Sequence, residues 1–471
     1  MKKVILSILI AICIQFNAFS QSCLPGYNNF TTQQQIDDFQ INYPNCTEIE
    51  GQVVISGPDI YYLTGFNNIT RILGDLYIEG NDNLNNLGGL NYLDYIGGSF
   101  NIQYNNSLTS VDGLGNLTTI GGTFNISDNN SLSNLTALQW LTSVGMSFTI
   151  QENSSLVSLH SLSNLDVVGG YFRIIENDLL EDLGSITNLH SLPDNLEIAE
   201  NPNLINLDGF ASLMNIGGNL VLVNNFALEN IQGLEDLSSI GGFFDIANHY
   251  ALTSLHGLES LTSINGYLEI SGTAISDFSG LNSLTSINGH LQVSGTAISN
   301  FSGLEYLTSI GGNLEIKGND VLESLTGLQN ISTNSIQNLD IRSNHQLTEC
   351  NIQSICNYLN NPTGGLLIDD NAYKCDDEQQ VQLECSSASI ESNSLFSRVS
   401  IYPNPASTRI SIESPEIEIE EINIFNQLGQ SVLHELYQSK TIDISSLEAG
   451  LYIVELKSGE YMIRRKLVVE R

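Results

Sequence analysis

Positive charge is scarce through most of this 471-residue chain. Eight of its fifteen lysines and arginines follow residue 395, and Lys2 and Lys3 open the sequence. Only Arg71, Arg173, Lys317, Arg342 and Lys374 lie between, facing 41 carboxylates from Gln21 to Leu395 within a formal net charge of −37. Such a body repels phosphate backbones, which argues against nucleic acid and favours cations or neutral glycans as partners. Long apolar runs are missing too. The run from Val4 to Ile14 is too short to span a bilayer, and no other stretch approaches that of a membrane helix. Preceded by two lysines and followed by Ala18 and Ser20, it predicts a signal peptide over residues 1–20 and cleavage before Gln21.

Cysteine is absent from the whole middle of the chain. Cys13 belongs to the signal, Cys23 and Cys46 stand near the new N-terminus, and Cys350, Cys356, Cys375 and Cys385 form a later cluster. An even number of cysteines in an exported chain predicts disulfides, and no histidine pair at zinc spacing accompanies them. The last four allow three connectivities, all of which stay open. No metal or cofactor is expected.

What is present is a repeat. Gly97, Gly121, Gly145, Gly169, Pro193, Gly217, Gly241 and Asn265 follow one another at intervals of 24, and Asn288 and Gly311 at intervals of 23. The fourth and sixth residues from each start are apolar, as in Phe100 and Ile102, which predicts a short strand with two inward side chains. The ninth is asparagine in most coils, from Asn81 to Asn225 and again at Asn319, Asn344 and Asn371. Stacked asparagine amides can pair with backbone groups that would otherwise be buried bare. Leucines three apart follow, as at Leu132, Leu135, Leu138 and Leu141, because no coil can bury its apolar face without a neighbour. Weaker copies from Glu50, Leu73, Ile336 and Thr363 bring the count to about fourteen coils of 23–27 residues over 50–372, a solenoid about 60 Å long. Residues 21–49 and 373–395, which hold most of the cysteines, are expected as an N-terminal cap and as a disulfide cap with linker.

The pattern L-x-x-I-G-G-x-L-x-I-x-x-N-x-x-L-x-x-L-x-x-L resembles the leucine-rich repeats and the receptor L domain. That resemblance implies a right-handed parallel β solenoid and a binding role toward proteins, peptides or glycans.

From residue 396 to 471 the texture changes to short alternating strands, predicting a small Ig-like β-sandwich. Tyr402-Pro403-Asn404-Pro405, the phrase Ile424 to Gln430 with Gly429, the phrase Leu447 to Ile453 with Gly450, and the basic stretch Arg464, Arg465 and Lys466 resemble the type A C-terminal sorting domain of type IX secretion. The resemblance implies recognition by that secretion machinery. It places the product in the medium or on the outer surface of a Gram-negative bacterium.

An enzyme needs convergent groups, and few appear. Asp245 and Glu269 would stack about 5 Å apart on adjacent strands, as a carboxylate pair or a solvated acidic face. His249 falls at an asparagine position and is expected as a structural imidazole, and His160 and His256 lie four coils apart. Tyr171, Phe243 and Tyr267 are expected to place exposed rings near Arg173, Asp245 and Glu269, as a platform for sugar rings or a protein partner. The expectation is an exported, non-catalytic recognition or adhesion protein. A polysaccharide-active β-helix enzyme and a structural surface-layer component are the alternatives.

Overall fold

The computed structural model describes residues 21–386, 399–414, 418–426, 430–437, 440–458 and 461–470. The expected signal peptide and the linker from 387 to 395 lie outside these residues. The chain divides into two units, Met1–Glu378 and Gln379–Arg471.

The first unit is a parallel β solenoid. One four-residue strand per coil builds a fifteen-stranded sheet running in chain order from Tyr27–Phe30 to Leu366–Asp369. Register is strict: Phe100, Phe124, Phe148 and Phe172 align across three strand pairs, as do Ile102, Ile126, Ile150 and Ile174. All eight side chains are fully buried. Each contributes about 1.5–3 kcal/mol by leaving water. The phenylalanine rings also meet one another, with centroids 5.5, 5.4 and 4.7 Å apart.

The sheet holds one strand more than the fourteen coils counted from the phase of the repeat. Tyr27–Phe30 lies in the expected cap and pairs with Gln52–Ile55. Here two short helices, Gln33–Asp37 and Phe39–Asn42, take the place of the leucine turn and bury Ile36 and Phe39. Thr32 starts the first helix with a reciprocal capping box to Gln35. The Phe39 ring meets Phe30 at 5.9 Å and Phe66 at 4.8 Å, doing the packing that leucines do elsewhere. The cap is thus a coil in its own right, tied by the Cys23–Cys46 disulfide.

A second row of two-residue strands precedes the coil starts and forms two sheets of seven and six strands. The break falls between Val167–Val168 and Ser191–Leu192, where Pro193 stands in the glycine position. In neighbouring coils the N–H at this position donates to the coil before, Gly169 to Val144 at 3.0 Å and Gly217 to Leu192 at 2.7 Å. Proline has no N–H to give. An open groove of about 490 Å³, lined in part by Val167, Ser191, Pro193 and Asn215, marks the interruption.

Inside the solenoid the asparagines form a ladder. Asn153 donates from Nδ2 to the carbonyls of Ile126 (3.0 Å) and Gln151 (2.8 Å), and its Oδ1 accepts the N–H of Asn129 at 3.2 Å. The ladder runs from Asn81 to Asn225, stops, and resumes from Thr296 through Asn319 and Asn344 to Asn371. At the gap, His249 is fully buried with each ring nitrogen facing a carbonyl, Nδ1 to Asn225 at 3.0 Å and Nε2 to Leu222 at 2.9 Å. Burial holds its pKa below the usual histidine value, against the pull of those two carbonyls. On the next coil the buried Thr273 hydroxyl has no hydrogen-bond partner among the described residues.

At the far end, the helix Gln353–Asn360 buries Ile355, Tyr358 and Leu359 in place of a leucine turn. Cys350 pairs with Cys375, and Cys356 and Cys385 are disulfide-bonded as well.

In the second unit, the strands Ser400–Tyr402, Arg409–Glu413 and Thr441–Asp443 form one antiparallel sheet. Ser431–Leu436, Glu421–Phe425, Gly450–Ser458 and Tyr461–Val469 form the other. Ile410, Ile412, Ile422, Ile424, Val454 and Leu456 are buried in their shared core.

Candidate ligand-binding face

Because strand side chains alternate, the middle residue of each coil's strand stands on the outer face of the large sheet, between two buried neighbours. Along this column Arg173 pairs with Glu197, its Nε 2.7 Å from Oε2. Further on, Glu315 pairs with Lys317, and Asp340 is held by Arg342 at 2.6 Å and Lys317 at 3.0 Å. Between these paired stretches lie Asp245 and Glu269, direct partners in the strand register. Neither has a cationic partner among the described residues, although Gln292 Nε2 donates to Glu269 Oε1 at 2.8 Å. Burial, and then the charge of Glu269, push the Asp245 pKa up from 3.8 to about 6.

Two residues before each of these middle positions runs a second column. Asn195 and Asn219 accept the N–H of the following coil, at 2.7 Å from Asn219 and 3.0 Å from Phe243. The column then becomes aromatic. Phe243 and Tyr267 stack with centroids 4.4 Å apart and planes 4° from parallel, and His290 continues the stack at 4.5 Å. Burial raises the Tyr267 pKa, and Asp245 and Glu269 raise it further. The ring stack and the acid pair therefore sit side by side on the coils starting at 241, 265 and 288. These are also the coils where the interior ladder lapses and the repeat shortens from 24 to 23.

The six residues singled out from the sequence do not form one patch. Phe243, Asp245, Tyr267 and Glu269 come together, whereas Tyr171 and Arg173 lie three coils away, about 14 Å along the sheet. There Arg173 lies 5.0 Å over the Tyr171 ring and is consumed by Glu197. The rings expected as exposed are half-buried: Phe243 and Tyr267 lie against each other, and Tyr171 lies against Arg173. His290 and Gln292 join this face although neither is among the six; the outward column read from the sequence already places Gln292 next to Glu269. Both sit in the two columns once the 23-residue interval is applied, so the signal was present.

A further column was missed. The residue before each ladder position has left-handed backbone: Gly80, Gly272, Gly295 and Gly318 in some coils, but Asp128, Glu152, Glu176 and Glu200 on four consecutive ones, with φ between 54° and 58°. Like charges one coil apart oppose ionisation. The Asp128 and Glu176 carboxyls are held above the usual range, by burial first and then by their acidic neighbours. Among the described residues, no group of three or more His, Cys, Asp or Glu side chains is arranged to hold a metal ion. No helix among them is long and apolar enough to cross a membrane.

In the second unit, Tyr402 closes its strand and is half exposed, and cis peptide bonds precede Pro403 and Pro405. Asn404 grips the last strand, donating from Nδ2 to Lys466 O at 2.6 Å and accepting the Val468 N–H at 2.8 Å. Arg465 donates to Val399 O at 2.9 Å, and Arg464 pairs with Glu455 at 2.7 Å. Gly450 opens its strand opposite Val469, and Gly429 lies outside the described residues.

The receptor L domain family matches residues 45–109 and 285–386, and the secretion system C-terminal sorting domain matches residues 400–470. The ulvan lyase NLR42 of Nonlabens ulvanivorans is 30% identical over 98 residues, which are 20% of this chain and 18% of that protein. The unmatched coils between 110 and 284 repeat the strand register of the matched ones. The sorting domain marks the protein as exported and as a client of the type IX secretion machinery. The chain is a receptor L-domain-like, leucine-rich-repeat-like β solenoid followed by a type IX secretion C-terminal sorting domain.

Proposed function

We propose that the solenoid is a non-catalytic recognition or adhesion module. It binds a glycan or protein ligand outside the cell through the face built by Phe243, Tyr267, His290, Asp245 and Glu269. The observation that carries this reading is the acid pair with no cation beside it among the described residues, set next to a stacked aromatic platform. Elsewhere on the same column carboxylates are neutralised internally. Here the hydroxyl, ammonium or guanidinium donors are left for the ligand to supply, while the rings offer flat apolar surface. Arrays of glycans and proteins, probed with the full exported chain, test it. Binding is expected to fall in Phe243→Ala and Tyr267→Ala proteins that keep their fold, and undiminished binding in both would refute it.

Two observations favour a polysaccharide-active enzyme as the second reading. Burial, and then Glu269, push the Asp245 pKa up to about 6, a range suited to proton transfer, and a partial relative carries the name of a lyase. Release of shortened chains from a polysaccharide panel, abolished in Asp245→Asn or Glu269→Gln, would favour this reading over recognition alone.

A further inference from the structure

Away from the large sheet, most coils close a turn in which a buried leucine N–H bonds the carbonyl three residues earlier. Leu93 bonds Leu90 in this way, Leu117 bonds Leu114, Leu141 bonds Leu138 and Leu165 bonds Leu162, all at 2.9–3.0 Å. The residue just before each donor therefore occupies one equivalent position. On four consecutive coils it is Tyr92, Asn116, Trp140 and Asn164. The two rings are 62% and 56% exposed, and Trp140 is the chain's single tryptophan.

We propose that these four residues form a binding strip for a neutral, linear glycan, independent of the large-sheet face. Three observations carry it. The rings lie two coils apart, about 10 Å, on a straight column, which suits stacking by separate sugar units of one extended chain.

The amides between and beyond the rings are already oriented. Asn116 Nδ2 donates to Asn91 O at 2.6 Å and Asn164 Nδ2 to Gln139 O at 2.7 Å. Their side-chain oxygens accept no hydrogen bond among the described residues. Two fixed acceptors beside two rings are the parts a sugar hydroxyl pattern needs, with little ordering left to do on binding.

The third observation is charge. The two middle coils of the strip, residues 115–119 and 139–143, contain no charged side chain, and the end coils add only the exposed Asp94 and Asp166 beside Tyr92 and Asn164. A charged partner finds no counterpart between the two rings, and an anionic polymer is repelled by the two end aspartates and by the rest of the solenoid.

The lone tryptophan reports on its own site. The full exported protein is titrated with cellohexaose, laminarihexaose, xylohexaose, mannohexaose and, as the charged probe, a galacturonate hexamer, while Trp140 emission and its quenching by acrylamide are followed. At least one neutral probe is expected to shift the emission to the blue in a saturable manner and to protect it from acrylamide. Tyr92→Ala, which keeps the reporter and alters only an exposed side chain, is expected to weaken that response about ten-fold. Tyr267→Ala is expected to leave it intact, which separates this strip from the face proposed above. The inference is overturned if no neutral probe alters the emission, if only the charged probe does, or if the response survives Tyr92→Ala unchanged.

Discussion

Asp245 and Glu269 are register partners across one parallel strand pair, and neither carboxylate has a cation beside it among the described residues. The consequence is a pH dependence of known sign. The folded pKa of Asp245, about 6, lies above its ordinary 3.8, so its contribution to stability is full below about pH 4 and is lost as pH rises through 6. Urea midpoints measured from pH 4 to 7 are expected to fall more steeply for the natural protein than for Asp245→Asn. Parallel curves would show that the carboxyl is not perturbed.

The asparagine ladder is expected to be the most sensitive interior feature. Asn153→Ala removes an acceptor from the Asn129 N–H and a donor from the Ile126 carbonyl, both buried. Each unmet group costs about 1–3 kcal/mol, so a loss of about 3–5 kcal/mol is expected in urea denaturation. Ser154→Ala, one residue on, is expected to change stability by less than about 1 kcal/mol.

The acidic column predicts a gain instead. Glu176 combines left-handed backbone at φ 55° with carboxylates on the coils before and after it. Asparagine tolerates that backbone better and carries no charge. Glu176→Asn is therefore expected to raise the melting temperature. Because the Glu176 pKa is raised in the fold, the gain is expected to be larger at pH 7 than at pH 4, where protonation already relieves the repulsion.

Export is expected to depend on the tail. A chain ending after Asn393 lacks the whole sorting domain and is expected to remain inside the cell, as cell fractionation with an antibody to the solenoid would show. Asn404→Ala, which frees the last strand from its grip at Lys466 and Val468, is expected to lower the exported fraction without abolishing it.

The coil repeat was legible because its determinants are local and periodic: Phe100 and Ile102 point inward, and Asn105 turns into the ladder, in the way their spacing implies. The Tyr27–Phe30 coil was not, since helices around Ile36 and Phe39 replace the leucine spacing that defines a coil in sequence. The break at Pro193 follows from a missing N–H, yet the second row of strands it interrupts is only two residues wide and leaves almost no pattern. The left-handed column was masked because carboxylates occupy positions that glycine fills elsewhere. At the face, Asp245 and Glu269 were visible as neighbours, but the lack of cations around them required knowing where Arg173, Lys317 and Arg342 spend their charge.

The central claim is recognition without chemistry at the Phe243, Tyr267 and Asp245 face. Its most direct test takes a glycan or protein ligand captured by the full exported chain, holds it on the protein at saturation for many hours at pH 6, and measures the ligand's mass after release. Intact ligand, with capture lost in Tyr267→Ala, is the predicted result. Shortened or modified ligand that returns to full length in Asp245→Asn would contradict it and make this face a catalytic one.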